Sequence, residues 1–170
     1  RPDPPMRVGD AAMPDVAPGA DGRSEPFRAE KGGLLLVFFG YTYCPDVCPT
    51  TLSNVKHALD LLGPAKAGKV QVAMVSVDPK RDTAAVLNAY LARLFTGYRA
   101  LRTDDAATLA AAEKAFAASH RIVGDPSTTT YSVDHTAALY AVDDAGTVKG
   151  IWGYGTTPEQ LDSDIGTLIA

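Results

Sequence analysis

Apolar residues run without interruption through "LLLVFFG" (34–40) and dominate "VQVAMVSVD" (70–78), which reads as a second buried strand. Continuous rather than alternating runs predict central strands covered on both faces. Between them Leu52, Val55, Leu59 and Leu62 recur at helical spacing, and Gly63-Pro64 supplies a stop. "DTAAVLNAYLARLF" (82–95) predicts a helix with Asp82 as its N-cap. "DDAATLAAAEKAFAASH" (104–120) predicts another, with Leu109, Ala112 and Phe116 on one stripe. "GDPSTTT" (124–130) reads as loop, and "AALYAVDDAGTVKGIWGY" (137–154) as a β-hairpin turning at Asp144-Ala145-Gly146. Thr157-Pro158-Glu159-Gln160 is a capping-box start for a last helix. Residues 1–32, rich in Pro, Gly and Asp, read as an irregular lead-in with one short hairpin around Phe27.

The order β-α-β-α-α-β-β-α implies a parallel core sheet to which the late hairpin adds antiparallel strands. An α/β fold with a central mixed sheet of four or five strands between helices is the thioredoxin-like arrangement. No internal repeat or second domain is visible, so residues 1–170 are expected to form one domain, with 1–26 as its lead-in.

Charge narrows the function. The 170 residues carry a net charge of -4, and the 16 Lys and Arg are scattered. Phosphate binding needs clustered cations, so a nucleic-acid partner is not expected. No stretch approaches the roughly 20 apolar residues that span a bilayer. The chain begins at Arg1 and its first ten residues have no signal-peptide apolar core, so any membrane anchor is expected upstream.

The cysteines change the picture most. Cys44 and Cys48 are the only two, and a disulfide between them would close too short a loop to constrain the unfolded chain much. Both follow the first core strand at a helix N-terminus, where amides and the helix dipole favour thiolate. Three residues separate them instead of the two of the thioredoxin redox motif. The pair therefore reads as redox-active, as two ligands of a soft metal ion, or as two buried small apolar residues. Zinc usually takes four ligands, whereas Cu(I) accepts fewer and prefers thiolate.

Of three histidines, His57 falls off its helix's apolar stripe and reads as a surface residue, and His120 as a C-terminal helix cap. His135 lies in "YSVDHTAALY", between a loop and a strand. In a thioredoxin-like fold the residue preceding this strand lies over the active-site cysteines, which makes His135 the third candidate ligand. Asp78 and Asp134 are candidates for orienting the ligands, with turn and capping duty as the competing role. Tyr41, Tyr43 and Tyr131 are expected to wall the site.

The segments "FFGYTYCPDVCP" (38–49), "VSVDPKRDT" (75–83) and "YSVDHTAALYAVDDAG" (131–146), with "GTTPEQLDSDI" (155–165), resemble the Sco/SenC family of copper proteins that help assemble cytochrome c oxidase. The resemblance implies one copper ion per chain, as Cu(I) or Cu(II), held by Cys44, Cys48 and His135. It implies a monomeric metallochaperone that delivers copper to the binuclear copper site of the oxidase's copper-bearing subunit. The alternative is a thiol-disulfide oxidoreductase that keeps that site's cysteines reduced, with Cys44 and Cys48 as the catalytic pair. A copper-donor chaperone or a thioredoxin-like reductant follows as a further partner. Location is expected to be extracytoplasmic, on the periplasmic side of a bacterial inner membrane or in the mitochondrial intermembrane space.

Overall fold

The computed structural model describes residues 2–45 and 47–169. Strands β1 (Ala12–Asp15), β2 (Arg23–Pro26) and β3 (Leu34–Gly40) lead into helix α1 (Val47–Leu62) and a short α2 (Pro64–Ala67). Then come β4 (Val70–Ser76), α3 (Ala84–Ala92), β5 (Arg99–Leu101), α4 (Ala106–Ala115), β6 (His120–Val123) and β7 (Ser132–His135). Strands β8 (Leu139–Val142) and β9 (Val148–Trp152) and helix α5 (Pro158–Leu168) complete the described elements.

Seven strands form one mixed sheet in the order β2-β1-β5-β4-β3-β8-β9. β3, β4 and β5 run parallel, and β1, β8 and β9 join antiparallel. Every residue of β3 is buried, as its unbroken apolar run requires. Phe27, Phe39, Phe116 and Tyr140 meet in a chain of ring contacts with centroids 4.9 to 6.1 Å apart, joining the lead-in, β3, the end of α4 and β8. The fold is the thioredoxin-like α/β arrangement.

Four expectations need correction. The lead-in is not irregular: β1 and β2 form a hairpin centred well before Phe27, and Asp15 pairs with Leu101 of β5. The sheet is correspondingly wider than four or five strands. Thr83, not Asp82, caps α3, accepting from the Val86 N–H. Helix α4 stops at Ala115, after which Ala117 adopts φ 53°, so His120 opens a strand rather than capping a helix. At the other end of the chain, the Thr157–Gln160 capping box forms in both directions.

Strands β6 and β7 form a separate antiparallel ribbon in which His120 stands opposite His135. This ribbon brings His135 against the cysteines. Among the described residues, no helix is long and apolar enough to cross a membrane.

Candidate metal centre

Gly40 and Ser76 are register partners at the carboxyl ends of the parallel strands β3 and β4. The two chain segments that follow, 41–48 and 77–83, therefore leave the sheet at one edge. Helix α1 begins at Val47, which puts Cys48 and Pro49 in its first turn. Proline is tolerated there because first-turn N–H groups have no intrahelical partner. One of those orphan donors is used: the Cys48 N–H points at Cys44 Sγ, 3.4 Å away. Both cysteines are buried thiols, with no disulfide between them.

His135, the last residue of β7, turns its imidazole onto this pair. Its Nε2 lies 3.4 Å from Cys48 Sγ and 3.9 Å from Cys44 Sγ. The two sulfurs and one ring nitrogen all fall within 4.8 Å of one another, close enough to share one metal ion. On the far side of the ring, Nδ1 lies 3.0 Å from the Thr136 carbonyl. A proton on Nδ1 donated to that carbonyl leaves the Nε2 lone pair facing the sulfurs. Phe38 and Tyr41 hold the imidazole edge-on, with centroids 6.0 and 5.8 Å away.

The hydrogen bond with Cys44, and then burial, push the Cys48 thiol well above its ordinary pKa. For His135, burial opposes protonation, but hydrogen bonding to Cys44 and to the Thr136 carbonyl outweighs it and the pKa rises. Metal binding must therefore displace protons from this site.

The other named residues separate into two groups. Asp78 is buried, and its carboxylate accepts from Arg81 Nε at 2.6 Å and from the Tyr131 hydroxyl at 2.5 Å. Its contacts fasten the run-in to β7 rather than the ligands themselves. Arg81 also donates to the Thr129 carbonyl, and the Val133 N–H donates to the Tyr41 hydroxyl. Three ties thus hold residues 129–133, which carry the chain into His135. Asp134 does not orient His135: it is exposed and paired with Arg121 at 3.0 Å, and the Thr136 carbonyl takes the orienting position. Tyr41 does wall the imidazole. Tyr43 and Tyr131 stack instead on the Arg81 guanidinium, at 4.6 and 3.6 Å, and Tyr43 is largely exposed.

His57 is exposed on α1. His120 pairs with the buried Glu113 at 2.7 Å and stays outside the three-ligand group. The sequence does not single out Arg81, and it offers Asp82 only as a helix N-cap. Asp82 in fact ties the 41–48 segment to β4, accepting from the Thr42 N–H and hydroxyl and from the Ser76 hydroxyl.

Comparison with known proteins agrees with this geometry. The SCO1/SenC family model matches residues 20–170. The chain belongs to the SCO1/SenC family. Its fold superposes on the copper-bound ScoI of Bradyrhizobium japonicum with a TM-score of 0.78, at 31% identity over 95% of this chain and 98% of that one. A putative copper-binding protein of Stutzerimonas stutzeri is 34% identical over 76% of this chain and 64% of its own length. SenC of Rhodobacter capsulatus is also 34% identical, over 79% of this chain and 59% of its own.

Proposed function

We propose that this SCO1/SenC chain is a copper metallochaperone that carries one ion on Cys44, Cys48 and His135 and passes it to the binuclear copper site of cytochrome c oxidase during assembly. The observation that carries the reading is the convergence of two sulfurs and one imidazole nitrogen within 4.8 Å. Two thiolates and one imidazole suit copper, in either oxidation state, better than a structural zinc, which normally needs a fourth protein ligand. Copper is cargo here, and the site's construction favours release. The ligands stand at a loop-built sheet edge, and a shallow depression opens beside His135 between Ser119, Asp134 and Thr136. The copper-bound state of the ScoI relative and the copper-binding description of the Stutzerimonas relative support the choice of metal. The oxidase target, an upstream anchor and an extracytoplasmic location rest on family membership. So does a single-domain monomer.

One observation favours a second reading, thiol-disulfide exchange at the oxidase's cysteines. Cys44 Sγ accepts the first-turn amide of α1, a position that favours a negatively charged sulfur. Attack by Cys44 on a partner disulfide would give a mixed disulfide and release one partner thiolate. Cys48 would then displace the second partner thiolate and close Cys44–Cys48, so the chain is oxidised and the partner reduced. An anaerobic titration of the dithiol chain with copper separates the two readings. Uptake of one equivalent, with a sulfur-to-copper charge-transfer band in the Cu(II) form, supports the carrier. Turnover on a disulfide without copper uptake supports the exchange reading instead.

A further inference from the structure

Beside the metal centre, across strand β6 from His135, a groove of about 270 Å³ runs between α4, the 77–80 segment and the ribbon. Its walls are apolar: Val77, Leu109, Ala110, Ile122 and the ring of Tyr131. Glu113 also lines it, although this residue is 94% withdrawn from solvent, being 6% exposed. One carboxylate oxygen, Oε2, is held by His120 Nδ1 at 2.7 Å. Among the described residues, no donor is within hydrogen-bonding distance of the other, Oε1. That oxygen is not fully withdrawn from solvent, so it stands open in the groove to an incoming donor.

The remaining charges around the groove are already engaged. Lys80, which also lines the groove, donates to the Pro126 carbonyl and lies over the Tyr131 ring at 5.7 Å. Asp78 is taken by Arg81 and Tyr131, and Asp104 by Arg102. Asp105 receives the Thr108 hydroxyl at the mouth. The groove therefore combines an apolar channel, acidic lips and one carboxylate oxygen open to a donor.

We infer that this groove is a docking site for a lysine or arginine side chain of a protein partner, whose apolar stem packs against Leu109 and Tyr131 and whose cationic head meets Glu113. A long cationic side chain matches both features at once: its methylenes prefer an apolar wall and its head needs an acceptor. The position gives the contact a purpose. His120, which holds Glu113, is the register partner of His135, so a partner seated here has its chain next to the Cys44–Cys48–His135 edge. The inference rests on the groove's own geometry and does not depend on which metal the centre carries.

The test is a titration of the whole chain, with methyl groups observed by NMR, using blocked short peptides that carry lysine, norleucine or glutamate between two valines. The lysine peptide is expected to shift the Leu109, Ala110 and Ile122 methyls saturably. It should bind roughly tenfold or more tightly than the norleucine peptide, the span of one charge-assisted hydrogen bond. E113Q should remove that preference, and A110F, at an exposed position, should block the groove while Glu113 stays in place. Equal binding of lysine and norleucine peptides overturns the inference. So do shifts that map elsewhere, no saturable shift, or an unaltered preference in E113Q. Copper uptake by the same variants reports on the metal centre separately, so the two proposals fail independently.

Discussion

Cys48 Sγ lies 3.4 Å from His135 Nε2 although 87 positions separate the two residues in the chain. No local rule brings them together. The contact depends on β3 ending at the sheet edge, on α1 starting with Cys48 in its first turn, and on a two-stranded ribbon folding back across both. The ties at Tyr41, Arg81 and Tyr131 hold that ribbon in place, so the chemistry of the site is only as well defined as they are.

Gly40 is required for closeness rather than for backbone freedom, since its φ is not positive. A Cβ placed there would stand 2.8 Å from Cys48 Sγ and 2.7 Å from the Phe38 ring. Gly40→Ala is therefore expected to lower stability by about 1–3 kcal/mol through overpacking, and to weaken copper binding by displacing the sulfur. Thermal unfolding and a competitive copper titration check this. Full stability with unchanged affinity would mean that Cys48 shifts without consequence.

Tyr131→Phe removes the hydrogen bond to Asp78 while keeping the ring against Arg81. The expected loss is about 1.5–3 kcal/mol, as for a hydrogen bond to a charged group. Copper affinity should fall roughly tenfold at unchanged stoichiometry, the size of effect seen when residues supporting a ligand are removed. A shifted Cu(II) absorption band would report altered imidazole placement. Loss of stability with affinity and spectrum intact would show that the tie steadies the ribbon without setting His135.

Asp82 gives a pH-dependent expectation. Burial raises its pKa, and the hydrogen bonds from Thr42 and Ser76 offset this only in part. The folded carboxyl thus holds its proton more tightly than the unfolded one, whose pKa is about 3.9. This contribution to stability is complete below the unfolded value and is lost as pH rises through the folded one. Asp82→Asn removes the titration and sets an amide NH₂ against the donors of Thr42 or Ser76. The variant should be less stable by about 1–3 kcal/mol, with the gap to the parent narrowing as pH rises through and just above the carboxylate range. Denaturant unfolding at a series of pH values measures that gap; a gap that widens with pH contradicts the assignment.

Much of the core sheet was legible because β3 is an unbroken apolar run and β4 a predominantly apolar one, as buried central strands require. The cysteine pair was legible as chemistry for the same reason: it follows such a strand directly. The ribbon was not. "HRIV" and "SVDH" are largely exposed and show neither alternation nor a continuous apolar run, and their pairing is with each other alone. Strand β5 is three residues long, too short to carry a pattern. Asp82 was misread because Asp82-Thr83 offers two adjacent capping residues, and the donors that claim Asp82 come from Thr42 and Ser76. His135 stood out through its place before a strand that a thioredoxin-like fold lays over the cysteines, and then through its family wording, since the spacing of a lone histidine says nothing about what it faces.

The most direct test of the metal-centre account is the copper affinity of His135→Ala against the parent dithiol chain, measured anaerobically by competition with a chromophoric chelator. The parent should take up one copper, and the variant should bind it at least about tenfold more weakly, with a changed Cu(II) charge-transfer band because one of the three donors is gone. Identical affinity and an identical spectrum in the two proteins would contradict the account, since the imidazole would then stand beside the sulfurs without sharing their ion.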